Sequence, residues 1–208
     1  MPIRNSDLWA LARLTVEKPV EAGERIRALD LPRNIGWMVL ILAGVASAVL
    51  TGLSDLLVPP QPVTLESGEV MTPPRMSPLL WGIVSVASAA LLTAALWRIG
   101  GMMGGQAGFT LMLNLMAWLQ LFMVLVLALQ VLLILLAPPL SFLAMLAGLV
   151  ISFRAMAHFV NLAHGFDSLG RSTGVIVLSF LAISFALVLF LMIFGIGAGG
   201  IAPSGAPQ

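Results

Sequence analysis

Residues 99–153 have the sequence IGGMMGGQAGFTLMLNLMAWLQLFMVLVLALQVLLILLAPPLSFLAMLAGLVISF, in which no side chain is charged. A helix needs about 20 apolar residues to cross a hydrocarbon core of about 30 Å. The stretch is therefore too long for one crossing and long enough for two. Consecutive prolines end a helix because they remove backbone donors and clash with the preceding turn, so Pro138 and Pro139 mark the break. We expect spans near residues 110–136 and 140–159.

Three further stretches are charge-free and long enough for one crossing each, namely residues 34–54, 76–97 and 174–196. The composition agrees, since 60% of the 208 residues are apolar and 9% are charged, whereas a soluble domain carries about 25% charged residues. The sequence predicts an all-α polytopic membrane helical bundle with about five transmembrane helices. This membrane domain covers residues 34–196, and a flexible outer tail covers residues 197–208.

The positive charges lie almost entirely on one side of these spans. With the amino terminus inside, nine of the ten basic residues are cytoplasmic, and Arg75 is the exception. Basic residues near spans favour the cytoplasmic side of a membrane. The distribution therefore predicts a cytoplasmic amino terminus and an outside carboxyl terminus.

Residues 1–33 have the pattern of two short amphipathic helices. Leu8, Leu11 and Thr15 share one helical face, and after Pro19 a second helix places Ala22 and Ile26 on another. Two interpretations stay open: a helix pair lying on the cytoplasmic leaflet, or an ordered cap packed under the bundle. The proline-rich segment at residues 55–75 predicts extended chain without a domain of its own.

Stripes of small residues follow three of the spans. In lipid, helices associate mainly through close backbone approach, which small residues permit. We expect packing faces at Gly44, Ala48 and Gly52, at Ser85, Ala89 and Thr93, and at Ala144, Gly148 and Ser152. Contacts within one chain are the favoured interpretation, and a homodimer contact is the alternative.

The most polar segment near a span lies at the end of the fourth. Arg154, His158 and Asn161 are spaced at i, i+4 and i+7 and share a face, and His164 and Asp167 follow. The functional hypothesis is a site for a lipid headgroup, a proton or a partner. The alternative is an ordinary membrane exit in which Arg154 extends to the headgroups. The third span contains three amides, which have two interpretations of their own, interhelical hydrogen bonding or a substrate path: Asn114, Gln120 and Gln130.

Several chemistries are not expected. The chain has no cysteine, and the two histidines are six residues apart, so the sequence predicts no metal site and no cofactor. The GxGxxG spacing at Gly195, Gly197 and Gly200 follows a span and lacks the strand that a dinucleotide site needs. Basic and acidic residues nearly cancel, which argues against nucleic-acid binding. Without a nucleophile, base and acid set, we expect no enzyme.

Two soft motifs accompany this layout: the Pro-centred segment at residues 15–22, TVEKPVEA, and the glycine-rich entry to the third span at residues 104–109, GGQAGF. With about five spans, the chain resembles the bacterial branch of the Yip family over residues 8–196. The resemblance implies a multi-pass protein of the bacterial inner membrane with a cytosolic amino terminus. Eukaryotic members interact with Rab GTPases in vesicle traffic, partners not expected in a bacterium. The resemblance supplies no catalytic residues.

Two hypotheses for function follow. The first is a non-enzymatic integral membrane protein that organises or assembles membrane components through helix contacts, with the lipid bilayer and other membrane proteins or a second copy as partners. The alternative is a small transporter or lipid-handling protein that uses the polar groups of the third and fourth spans.

Overall fold

The computed structural model describes residues 5–58, 63–64, 70–71 and 76–193. Its seven helices in this part of the chain are α1 (Asn5–Glu17), α2 (Pro19–Ala28), α3 (Arg33–Leu57), α4 (Pro78–Met102), α5 (Phe109–Leu136), α6 (Pro138–His164) and α7 (Leu169–Ile193). Two short strands, β1 (Val63–Thr64) and β2 (Val70–Met71), pair antiparallel between α3 and α4. The predicted tail at residues 197–208 lies outside the described residues.

Helices α3 to α7 are the five membrane spans. Each has 25 to 28 residues and is apolar enough to cross a bilayer, and at 1.5 Å per residue the shortest extends about 38 Å. The prediction of an all-α, polytopic bundle with five spans and an amino-terminal helix pair is confirmed. The chain is an integral membrane protein.

The helix boundaries follow local chemistry. Helix α5 ends at Leu136, and Pro138 begins α6, where a missing N–H costs nothing. Helix α6 ends at His164, and its C-cap Gly165 has a φ of 67°, in the left-handed region that glycine adopts without strain. At the start of α4, Ser77 Oγ accepts a hydrogen bond from the Leu80 N–H.

Helix α5 lies at the centre and packs against α3, α4 and α6. The tightest packing is near one end of the bundle. We call it the amino-terminal end; it contains the turns at residues 29–32 and 165–168 and the loop at residues 103–108. Fully buried core side chains of this half include Leu96, Leu113, Phe159 and Ile176. In the opposite half packing is sparser, and no described residue of α7 beyond Ser179 is buried.

The amino-terminal helices α1 and α2 pack on this end of the bundle. Thr15 and Ala22 are buried, and α2 passes so close to α6 that a Cβ at Gly23 would lie 2.7 Å from Leu162. Deep in α5, Trp118 donates its indole N–H to Thr15 Oγ1 at 2.9 Å. Of the two interpretations left open by the sequence, this geometry favours the packed cap. On the exposed surface of this cap, a hydrogen bond from Lys18 to Glu21 raises the pKa of the lysine.

Candidate functional site

Arg154 binds the end of α1. Its Nη1 donates to the Val16 carbonyl at 2.7 Å and its Nη2 to the Glu17 carbonyl at 3.5 Å. The last carbonyls of a helix have no partner inside it and carry partial negative charge, so a guanidinium there is favourable. The side chain thus connects α6 to the amino-terminal cap.

His164 is buried where α4 and α6 meet. Its Nε2 lies 3.2 Å from the Leu96 carbonyl, and its ring stacks on Phe166 with centroids 5.1 Å apart. A Cβ at Gly100 or at Gly105 would overlap the imidazole ring. Two glycines therefore form the walls of the space that His164 occupies.

The glycine-rich loop between α4 and α5 is fastened to this histidine. The Gln106 N–H donates to the His164 carbonyl at 3.1 Å, and the Gly105 N–H donates to the Gly100 carbonyl at 2.9 Å. Gly104 has a φ of 87°, a conformation that other residues rarely adopt. Trp97 donates its indole N–H to the Ala107 carbonyl at 3.1 Å. The glycines thus serve a close contact with α6.

The remaining members of the polar segment have separate surroundings. Asn161 Oδ1 accepts from Ser172 Oγ at 3.2 Å and links α6 to α7. His158 is half-buried and makes no side-chain hydrogen bond within the described residues, while Asp167 is exposed. Arg154, Asn161 and His164 therefore bind α1, α7 and α4 respectively. The structure does not bring these side chains together around a common ligand space.

Asn114 joins α5 to the turn before α3. Its Nδ2 donates to the Leu31 carbonyl at 2.7 Å. Its Oδ1 is buried without a hydrogen-bond partner among the described residues and faces Gly36, where a Cβ would overlap it. Gln120 of the same helix donates to Ser85 Oγ of α4 at 2.8 Å.

The small-residue stripes lie at helix contacts within the chain. Gly44 faces Val86 of α4, and a Cβ at Gly82 would lie 2.9 Å from both the Ala48 Cβ and the Gly44 carbonyl. Gly52 is farther from α4, with Pro78 atoms at 3.5 Å from its Cβ position.

On α6, the stripe of Ala144, Gly148 and Ser152 meets α5. A Cβ at Gly148 would press into Val126 of that helix, and Ser152 Oγ donates to Met123 Sδ at 2.8 Å. In the stripe of α4, Ser85 accepts from Gln120 and Thr93 is fully buried, bonded to the Ala89 carbonyl at 2.7 Å.

Concave surfaces formed by the described residues in the opposite half of the bundle include two of similar size. The first, which we call the α3–α4 groove, has a volume of about 650 Å³ and an apolar lining that includes Gly44, Val45, Ala48, Val49, Gly82 and Ile83. The second, which we call the polar cleft, also measures about 650 Å³. Polar groups of three spans line it: Ser47, Thr51, Ser54, Asp55, Ser85, Gln120 and Gln130.

Sequence reasoning missed the contact between Trp118 and Thr15. The signal was present, because an indole N–H deep in a span needs a hydrogen-bond acceptor. It also missed Arg33, whose guanidinium lies 4.7 Å from the centre of the Phe109 ring. Among the described residues no group of three or more His, Asp or Glu side chains is placed to hold a metal ion.

Substitution of Arg154 tests its structural contact. We expect Arg154→Ala to free the end of α1, raising amide hydrogen exchange in residues 5–17 and lowering stability by about 1 kcal/mol, since two hydrogen bonds from a charge are lost. Arg13→Ala is the control, because its ion pair with Glu17 is exposed. Unchanged exchange in α1 of the Arg154→Ala protein would contradict the contact.

Five apolar spans with a packed amino-terminal helix pair define a polytopic helical membrane protein. The Yip1 domain matches residues 14–192, from within α1 to the last turn of α7, and the chain belongs to this family. No curated protein and no solved structure matches the chain.

Proposed function

We propose that this protein is a non-enzymatic membrane protein that organises or assembles other membrane components through helix contacts. The α3–α4 groove supports the proposal. Small residues, Gly44, Ala48 and Gly82, form its floor, and the larger side chains of Val49 and Ile83 stand beside it, 65% and 58% exposed. Because the side chains along its edges are apolar and exposed, the groove suits the apolar surface of a membrane-spanning helix.

The polar segment supports the same proposal indirectly. Arg154, Asn161 and His164 are each bound to another helix of the same chain. Their contacts hold the amino-terminal end together and leave the apolar faces of the opposite half for partners, either another membrane protein or a second copy.

Site-specific crosslinking tests this proposal, since the chain has no cysteine and single-cysteine variants label at one position. A photoactivatable thiol reagent on Val49→Cys or Ile83→Cys should give a discrete adduct in membranes, whose mass distinguishes a second copy from another protein. Leu149→Cys, on α6 and 62% exposed, is the control. The proposal fails if groove positions give no adduct, or if Leu149→Cys gives the same one.

We further propose that the membrane is the inner membrane of a bacterium and that the amino terminus is cytoplasmic. Of the ten basic residues, five precede α3 in the sequence, and four lie in the halves of the spans nearer the amino-terminal end, which supports this orientation: Arg33, Arg98, Arg154 and Arg171. Reporter fusions are expected to place Met1 inside and Gln208 outside. Both reporters on one side would contradict the orientation.

A small transporter or lipid-handling protein is the second candidate. The polar cleft favours it, because it extends from Asp55 near the end of α3 to Gln120 in the middle part of α5. Arg154, His158 and Asn161 do not line the cleft. Of the polar residues that the sequence suggested for this candidate, Gln120 and Gln130 of the third span line the cleft, and those of the fourth span do not.

A further inference from the structure

Another concave surface lies between the amino-terminal helix pair and the bundle, and we call it the cap pocket. Its volume of about 480 Å³ is within the usual range for ligand pockets of about 300–1,000 Å³. Helices α1, α2, α3 and α5 and the turn before α3 contribute to its lining. Most of the lining side chains are apolar, and they include Leu11, Ile26, Ile35, Val39, Trp118 and Leu121.

The cap pocket extends from the turn before α3 into the region of the spans. Asn114 of its lining donates to the Leu31 carbonyl in that turn. Leu121 is seven residues further along α5, which places it about 10 Å deeper at 1.5 Å per residue. Val39 is six residues inside α3, which begins at Arg33. The apolar part of the pocket therefore lies at the depth of the lipid chains in the leaflet at the amino-terminal end.

The lining continues onto the lipid-facing surface of α3. Ile35 and Val39 share a helical face with Leu42, at i, i+4 and i+7, and Leu42 is exposed. On the side of the helix pair, Leu8 and Leu29 of the lining are also exposed. Because exposed apolar surface of a span contacts lipid chains, the pocket is continuous with the hydrocarbon of the bilayer along this face.

An acyl chain is the occupant that this space fits. Apolar cavities exclude water, and lipid chains surround the spans. A helix with its side chains is about 10–12 Å wide, whereas four helices already border the cap pocket. The space therefore suits a single chain better than a further span.

Near the turn before α3, the lining of the pocket carries a cation. Arg25 of α2 is exposed, and its guanidinium makes no hydrogen bond or ion pair with the described residues. Asp7 also lines the pocket and already has an interaction of its own. A guanidinium binds phosphate oxygens through paired N–H donors. Glycerophospholipids share a phosphate next to their acyl chains, so Arg25 suits this class without a choice among headgroups.

We propose that the cap pocket holds one acyl chain of a bilayer glycerophospholipid, whose phosphate lies beside Arg25. The bound lipid fastens the helix pair to the leaflet, in addition to the contacts of Arg154 and Trp118 within the chain. The inference goes beyond the proposed function and rests on neither candidate. Among the described residues, the cap pocket shares no lining residue with the α3–α4 groove or the polar cleft.

Native mass spectrometry of the full-length protein, released from nanodiscs of one phospholipid, tests the proposal. We expect one phospholipid to stay bound to each chain. Arg25→Ala should lower the bound fraction about tenfold, since a hydrogen bond between two charges is lost. Arg27→Ala is the matched control, because Arg27 is an exposed arginine of the same helix outside the lining. Absence of bound phospholipid, or equal retention by the two variants, overturns the proposal.

Filling the pocket gives a second test that does not depend on charge. Val39→Trp adds a large side chain to the lining and should reduce the bound fraction about tenfold. Met38→Trp, at the adjacent position outside the lining and 62% exposed, should leave it unchanged. Equal retention by these two variants overturns the proposal. If Val39→Trp does not fold, the arginine pair decides the result.

A phospholipid with a photoactivatable diazirine in its acyl chain locates the bound molecule. Leu11 and Trp118 of the lining are 9% and 6% exposed, so lipids around the spans do not reach them. Adducts on these two residues are expected from a chain inside the pocket. Adducts confined to exposed positions such as Leu42 overturn the proposal.

Two outcomes would identify another occupant. A retained mass equal to that of a free fatty acid would overturn the assignment to a phospholipid, because it lacks the phosphate. A chain shortened by residues 2–4, which lie outside the described residues, should retain the same phospholipid. Retention by the shortened chain alone would mean that these residues fill the pocket, and would overturn the proposal.

Discussion

Gly100→Ala is expected to lower the free energy of unfolding by about 2 kcal/mol or to prevent accumulation of the protein. A Cβ at this position would overlap the imidazole of His164. The ring cannot move aside easily, because Nε2 is held at the Leu96 carbonyl and the ring stacks on Phe166. Thermal unfolding in mild detergent and the abundance of protein in membranes measure the effect.

The neighbouring glycine provides a matched control. A Cβ at Gly101 meets nothing within 4 Å, so Gly101→Ala should be neutral or stabilising by up to about 1 kcal/mol through helix propensity. Removing the ring by His164→Ala should make Gly100→Ala far less harmful than in the parent chain. Additive losses in the double variant would show that the histidine is not the obstacle.

The five spans could be predicted because membrane crossing is a property of single segments. The charge-free stretch at residues 99–153 and its Pro138-Pro139 break are sufficient to place α5 and α6, since every backbone group in lipid must be bonded within its own helix. The start of α7 was harder to place. It begins at Leu169, ahead of the predicted stretch at residues 174–196, because an arginine such as Arg171 can lie in the first turn of a span.

The partners of the polar residues could not be predicted, because they depend on how helices distant in sequence meet. The i, i+4, i+7 spacing places Arg154, His158 and Asn161 on one face, but spacing does not say which element covers it. In the fold, Arg154 reaches α1, more than a hundred residues away, and Asn161 reaches α7. A shared helical face was therefore an insufficient basis for a shared site.

The polar cleft also depends on how helices distant in sequence pack together. Gln120 and Gln130 stood out as amides in an apolar span, and the sequence allowed a substrate path along them. The sequence does not single out Ser47, Thr51 or Ser54, because an isolated hydroxyl in a span can bond to its own helix. These hydroxyls lie beside the amides because α3 packs against α5 in the fold.

Gly148→Leu is expected to impair folding more than any lipid-facing change on the same helix. Gly148 is buried, and a Cβ there would press into Val126 of α5. A leucine would force α5 and α6 apart along the stripe that also holds the contact between Ser152 and Met123. Because small residues supply much of the packing between helices in lipid, we expect a loss of about 3 kcal/mol or more in thermal unfolding measured in detergent.

Leu149→Ala, at the adjacent position, tests whether α6 is sensitive to any substitution or to the loss of this contact in particular. Leu149 is 62% exposed, so its side chain has lipid or detergent as its neighbour before and after folding in the membrane, and truncation should cost less than about 0.5 kcal/mol. Gly148→Ala should lie between the two, since one methyl group meets the stiff, β-branched Val126. Val126→Ala combined with Gly148→Ala should recover part of the loss by providing space for that methyl group. Equal effects of Gly148→Leu and Leu149→Ala would mean that the stripe faces lipid and that α5 and α6 do not meet at Gly148.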